Sequence, residues 1–497
     1  MIRTKIIATL GPASSQVETL LRLFEEGADI CRLNFSHGTL ADHLQMLKSI
    51  REAARKVAEP IAVLGDLCGP KIRLGQVADE EGSGGMKIGV GDVLRIQRQP
   101  IVGAKGRVST TYARFVDDVR VGDRVLVEDG LLRFVVTDRT SEEVICACTA
   151  GGVLKSAKGI NLPNTQVSVG SITEKDWQCA DWAIENDLDY LALSFVRRAE
   201  DLIELRRHLE KRGSGIRLIA KIEKAEALQQ MDAILDACDG LMVARGDLGV
   251  EMDVAQVPII QKDLIRRCQR AGKPVIVATQ MLQSMIEQSS PTRAEVSDVA
   301  NAVFDGADAV MLSGETSVGR YPAAAAHMMN HVAQVAEDYL DTLATRERPV
   351  VQDRETPVSA AVAAGVWQIV HDLKVKLVAV WSQSGATARI FSKYRFPVPV
   401  VAFTTEARTL RQMALHFGVL PRAMPAPAGV QELISRADEM VQRLGLAGAS
   451  DRIVIVAGPS MGVPGTVNQV IIHTVGQASA TADAATAASQ VVELERP

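Results

Sequence analysis

The chain has 497 residues, 47% hydrophobic and 23% charged, with a net charge of −5. That length suits about three domains, no apolar run approaches the ~20 residues needed to cross a membrane, and the acidic balance offers no general field for nucleic acid. Seven cysteines lie scattered without a Cys-x-x-Cys pair or zinc spacing, so reduced thiols and a cytoplasmic location are expected.

Short runs rich in Ile, Val and Leu alternate with helical stretches, the pattern of βα units on a parallel sheet. Eight runs are predicted as strands: Lys5 to Leu10, Asp29 to Leu33, Ile61 to Gly65, Asp189 to Leu193, Ile216 to Lys221, Gly240 to Val243, Pro274 to Ala278 and Ala307 to Leu312. Most intervals fit one helix and two loops, but more than a hundred residues separate Gly65 from Asp189. Something is inserted there. Within it, Arg124 to Val127 and Arg133 to Val136 flank Glu128-Asp129-Gly130, and Asp-Gly between such runs is a hairpin signal. The expected fold is therefore a TIM (β/α)8 barrel catalytic domain over residues 1–74 and 161–344, interrupted by a small β lid domain over 75–160. Beyond it, strand candidates Lys376 to Trp381, Pro399 to Phe403, Arg452 to Ala457 and Gln469 to Thr474 predict a C-terminal α/β domain over 345–477. The Ala- and Thr-rich residues 478–497 read as a flexible tail.

In such a barrel, functional groups collect beyond the C-terminal ends of the strands. Strand one leads into Gly11-Pro12-Ala13-Ser14, and strand two carries Arg32 and leads into Asn34-Phe35-Ser36-His37. Asp66 follows strand three, with Lys71 and Arg73 close behind, and Ser194 to Arg197 follow strand four. Lys221 and Glu223 are two apart in an extended strand and so share a face. Asp247 arrives on the neighbouring strand in Arg245-Gly246-Asp247, and Thr279 follows strand seven. Two carboxylates at adjacent strand ends suit Mg²⁺, which leaves its other positions to water and substrate oxygens.

Several segments identify the chain as resembling the pyruvate kinases to about residue 475: Cys31 to Gly38, Gly69-Pro70-Lys71-Ile72-Arg73, Ala220 to Glu223, Ala244 to Glu251, Ala278 to Leu282, Pro291 to Ala302 and Met311 to Thr316. The resemblance implies an inserted β-barrel lid, a regulatory C-terminal domain, a homotetramer, and phosphoryl transfer from phosphoenolpyruvate to ADP, giving pyruvate and ATP. By similarity, Glu223 and Asp247 hold Mg²⁺, with Mn²⁺ as a substitute, Lys221 stabilises the transferring phosphoryl group, and Arg32 binds the same phosphate. Gly246, Asp247 and Thr279 receive the substrate carboxylate, with a water near Thr279 as proton donor to the enolate. Arg73 and Lys175 hold the nucleotide phosphates, and Asn34, Phe35, Ser36 and His37 touch the nucleotide. Concentrating cations around phosphates is what such chemistry demands.

Potassium-dependent relatives bind K⁺ with groups corresponding to Asn34, Ser36, Asp66 and position 67, and have threonine at 67 and glutamate at 71. Here Leu67 and Lys71 occupy those places. A tethered ammonium can supply the charge of K⁺, so potassium-independent activity is expected. In the C-terminal domain, Ser382-Gln383-Ser384-Gly385-Ala386-Thr387 precedes a predicted helix and matches the family's sugar-phosphate loop, implying a phosphorylated sugar or nucleotide monophosphate as effector. Two rival readings are a Mg²⁺-dependent enolate lyase or decarboxylase, for which Arg73 and Lys175 have no use, and a non-catalytic metabolite sensor, which would not need Lys221, Glu223, Asp247 and Thr279 together.

Overall fold

The computed structural model describes residues 2–79, 82–163, 165–343, 347–353, 356–458 and 467–477. The proposed tail, 478–497, lies outside them. Eight parallel strands close into a barrel: β1 (Lys5–Thr9), β2 (Ala28–Asn34), β3 (Ala62–Asp66), β4 (Tyr190–Leu193), β5 (Arg217–Ile222), β6 (Gly240–Ala244), β7 (Val275–Ala278) and β8 (Ala309–Leu312). Each pairs with its sequence neighbours, and β1 closes the ring on β8 with Lys5 opposite Ala309.

The alternation of side chains sorts these strands into two cores. On β5, Leu218, Ala220 and Ile222 face the surrounding helices, while Ile219 points into the barrel with Ile7, Ile30, Leu64, Ala192 and Met242. Continuing each inward row by two residues places Thr9, Arg32, Asp66, Ser194 and Lys221 on the inner face at the carboxyl end. The same geometry that fills the barrel with hydrocarbon therefore supplies a polar layer above it.

Three helices carry or flank the candidate site residues: α1 (Glu174–Glu185), α2 (Arg245–Glu251) and α3 (Ala386–Lys393). Thr173 caps α1 by accepting the Asp176 N–H at 3.2 Å, and the Asp176 carboxylate returns to the Thr173 N–H at 2.9 Å. This capping box fixes where α1 starts and hence where Lys175 sits.

Between β3 and β4 the chain forms a six-stranded sheet and a two-stranded ribbon. Its hairpin joins Arg124–Val127 to Leu132–Arg139 in antiparallel register, with Val127 opposite Leu132. Glu128, Asp129 and Gly130 all adopt positive φ there, the conformation that favours Asp and Gly at the bend. Arg73 and Gly159 form a bridge where the chain leaves and re-enters the barrel.

The C-terminal unit is a five-stranded sheet of β9 (Val378–Trp381), β10 (Val400–Thr404), β11 (Val419–Ala423), β12 (Arg452–Ala457) and β13 (Gln469–Thr474), in the order β11-β10-β9-β12-β13, the last strand antiparallel. β11 is not among the strands predicted from sequence, because Pro421 interrupts its ladder; proline is tolerated because β11 lies at the sheet edge. This unit plugs the amino end of the barrel: Ala414 and Leu415 join the inner barrel core, Tyr190 donates to the Gln412 carbonyl at 2.5 Å, and Lys393 forms a fully buried ion pair with Asp308.

Candidate active site

At the carboxyl end of the barrel, the inward layer is joined by hydrogen bonds. Arg32 reaches Asp66 at 2.6 Å and donates to Thr9 Oγ1 at 3.0 Å. Lys221 Nζ lies 3.2 Å from Asp66, 3.0 Å from Glu223 and 2.7 Å from Ser194 Oγ. Asp66 thus holds both cations from one side. Burial alone would raise its carboxyl pKa, but Lys221 and Arg32 outweigh that and lower it. Burial would likewise lower the Lys221 pKa, yet Asp66 and Glu223 drive it above the ordinary lysine value, so the ammonium stays charged.

Glu223 is buried and accepts the Phe195 N–H at 2.8 Å. Its carboxyl is pushed up, first by burial; Lys221 opposes the rise and the facing carboxylate of Asp247 adds to it. A divalent cation between these two carboxylates would relieve that repulsion. Among the described residues no group of three or more His, Cys, Asp and Glu forms a cage. A cation between Glu223 and Asp247 would have two protein carboxylates and would complete its shell from water and substrate, as Mg²⁺ can.

Beside this pair, Thr279 and Gln280 have φ of 71° and 56°. A β-branched residue at positive φ is strained, and such strain persists where surrounding contacts over-determine it. Thr279 Oγ1 accepts the Gly246 N–H at 2.7 Å and donates to the Ala278 carbonyl at 2.6 Å. Arg245 donates to the Thr279 carbonyl at 2.8 Å and pairs with Asp298 at 2.7 Å. The first turn of α2, with Gly246 and half-buried Asp247, is thereby fixed against β7.

A second cluster surrounds His37. Burial lowers its pKa, and Arg73, Lys71, Arg32 and Lys175 lower it further, so four cations converge on one side of the rim. Lys175 donates to the Phe35 carbonyl at 2.7 Å, and Arg73 to the Ala157 carbonyl at 3.0 Å. The Phe35 ring is buried against His43 and Trp182, so its backbone rather than its ring is what this cluster uses. Asn34 Oδ1 accepts the Ser36 N–H at 3.1 Å, and the Leu67 carbonyl accepts from Ser194 Oγ at 2.7 Å. Lys71 is exposed, near Gly159, where a Cβ would lie 3.5 Å from Lys71 Cε. Lys71, Phe195, Lys224 and Asp247 line a cavity of about 30 Å³ under the insert. A larger one of about 770 Å³ lies behind α2, away from Lys221 and Arg32.

Far from this rim, Ser382 Oγ accepts the Ala388 N–H at 3.1 Å at the start of α3, Gly385 has φ 82°, and Gln383 donates to Thr405 at 2.6 Å. Thr387 is buried, and the Ser384 carbonyl accepts from Arg217 at 3.4 Å. Reading strand ends alone leaves out Thr9 and gives Ser194 no partner. The signal for both is the inward alternation, extended one step past the last apolar residue.

A closed (β/α)8 barrel whose carboxyl rim gathers cations beside two facing carboxylates defines an enzyme built to hold an anionic substrate. Residues 1–326 match the pyruvate kinase barrel domain, and 360–473 the pyruvate kinase alpha/beta domain. A pyruvate kinase of Bacillus licheniformis is 40% identical over 96% of this chain and 81% of its own length. One of Geobacillus stearothermophilus is 40% identical over 95% and 80%. The crystal structure of a pyruvate kinase from Cryptosporidium parvum superposes with a TM-score of 0.86, at 32% identity, covering 95% of this chain and 96% of that one. The chain belongs to the pyruvate kinase family, and it is a phosphotransferase. No helix among the described residues is long and apolar enough to cross a membrane.

Proposed function

We propose that this rim transfers the phosphoryl group of phosphoenolpyruvate to ADP with Mg²⁺ and without K⁺. The observation that carries the reading is the Arg32–Asp66–Lys221 array beside Glu223 and Asp247. Arg32 and Lys221 bind the phosphoryl oxygens, the guanidinium by two parallel donors and the ammonium as a point charge. Glu223 and Asp247 would hold Mg²⁺, which when bound would supply charge neutralisation for the anionic substrate. Gly246, Asp247 and Thr279 orient the substrate carboxylate, and a water near Thr279 protonates the enolate carbon. Arg73, Lys175 and the 34–37 segment hold the nucleotide under the insert, which acts as a lid.

Lys71 stands in for the monovalent cation. The oxygens that K⁺ would use are already engaged: Asp66 by Arg32 and Lys221, Asn34 Oδ1 by Ser36, and the Leu67 carbonyl by Ser194. The 382–387 loop takes the phosphate of an activating metabolite at the start of α3, and the enzyme assembles as a homotetramer in the cytoplasm. Phosphorus NMR of phosphoenolpyruvate, ADP and Mg²⁺ tests the transfer. Lys221→Met should lower kcat by about 10³-fold with little change in the KM for ADP. Turnover near the parent rate would refute the assigned roles.

A further inference from the structure

Helix α2 is fixed at both ends. Its first turn is held by Thr279 through the Gly246 N–H. At its last residue, Glu251 Oε1 lies 2.6 Å from Lys224 Nζ and accepts from Asn161 Nδ2 at 3.1 Å. Glu251 is 4% exposed and the Lys224 side chain 14%, so this is an internal ion pair. Lys224 directly follows Glu223, and Glu251 lies one helical turn beyond Asp247. The same strand end and the same helix therefore meet twice. One meeting is between two carboxylates that repel; the other is between opposite charges that attract.

We infer that the Lys224–Glu251 ion pair is a positioning element that draws α2 toward the end of β5 and so keeps Glu223 and Asp247 converged for the divalent cation. Without it, the cheapest response of a seven-residue helix to two facing carboxylates is to swing Asp247 outward before the cation arrives. With it, the cation meets a site already assembled, and its binding does not have to supply the work of bringing the carboxylates together. Asn161, in the last strand of the insert (Ile160–Asn161), shares the Glu251 oxygen, so the latch also touches the return of the insert into the barrel. Neither Lys224 nor Glu251 is assigned contact with the reacting atoms.

The inference rests on the reading of Glu223 and Asp247 as the metal site, and the test separates the two. Mn²⁺ binding to the full-length protein without substrates is measured by electron paramagnetic resonance of the free ion, for the parent, Asp247→Asn, Glu251→Gln, Lys224→Met, Lys224→Arg and the Lys224→Met/Glu251→Gln pair. Asp247→Asn should abolish the tight site. Glu251→Gln and Lys224→Met should each weaken it about tenfold, the range seen when an outer-shell partner is removed. The double variant should be no weaker than the worse single, and Lys224→Arg should restore affinity to within about threefold of the parent. Circular dichroism melting shows whether each variant is folded, and the double variant removes both charges together, so it avoids leaving one buried alone. Unchanged Mn²⁺ affinity in folded Glu251→Gln, or additive losses in the double variant, would overturn the positioning role. Unchanged affinity in Asp247→Asn would remove the metal site and the latch with it.

Discussion

Asp66→Asn is the most informative single change at the rim. The carboxylate sits 3.2 Å from Lys221 Nζ and 2.6 Å from Arg32. With an effective dielectric near 20, a charge pair at that first distance is worth roughly 5 kcal/mol. Asparagine keeps the shape and an acceptor oxygen but removes the charge, leaving Glu223, 3.0 Å away, as the one carboxylate on the ammonium among the described residues. Because Glu223 is also a proposed ligand of the divalent cation, Lys221 should lose a large part of the stabilisation that holds its pKa above the lysine value. Deprotonation of Lys221 would remove activity, so kcat/KM for phosphoenolpyruvate should stay level up to about pH 10 in the parent and show an alkaline limb inside that range only in Asp66→Asn. The assay is pyruvate formation between pH 6 and 10 at saturating Mg²⁺ and ADP. A variant profile as level as the parent's up to about pH 10 would refute the view that Asp66 sets the charge state of Lys221.

Other expectations come from single contacts. Thr279→Val removes the acceptor of the Gly246 N–H and should cost about tenfold in kcat/KM for phosphoenolpyruvate, against a smaller change in the KM for ADP. Lys393→Met strips buried Asp308 of its close ammonium and leaves it Arg395 at 3.9 Å, which should destabilise the protein by about 3 kcal/mol, read as a lower thermal midpoint; a midpoint equal to the parent's would contradict the buried pair. Burial would raise the Asp239 carboxyl pKa, but Arg206 and Arg217 lower it below 3.8. Its contribution to stability is present above the unfolded-state value and is lost as pH falls through the folded one, so the parent should lose stability more steeply than Asp239→Asn in acid denaturation below about pH 4.

The barrel is legible in the sequence because its strands are short apolar runs whose inward and outward faces are both hydrophobic, and each ends in a charged or hydroxyl residue. The rows Ile219-Lys221-Glu223 and Ile30-Arg32-Asn34 show it directly: the apolar member marks the face and the polar members inherit it. Pairing is less legible. Asp66 reads in sequence as part of a monovalent-cation region, but the closure of β2, β3, β4 and β5 into one ring brings it to both Arg32 and Lys221. Such contacts depend on strand stagger, which alternation does not specify. Lys224 and Glu251 are hidden for a related reason: each is one surface charge in sequence, and only the packing of α2 against the end of β5 buries them together. Phe35 is hidden differently: its ring is a core side chain, and its carbonyl, which accepts from Lys175, is the part that faces the rim.

The most direct test of the central claim is the rate of pyruvate formation from phosphoenolpyruvate and ADP with Mg²⁺ in buffer free of potassium and ammonium, repeated with KCl at matched ionic strength. The account predicts full turnover without K⁺ and less than about twofold stimulation by it, since Lys71 is proposed to supply the monovalent charge. Turnover that appears only when K⁺ is added would contradict it.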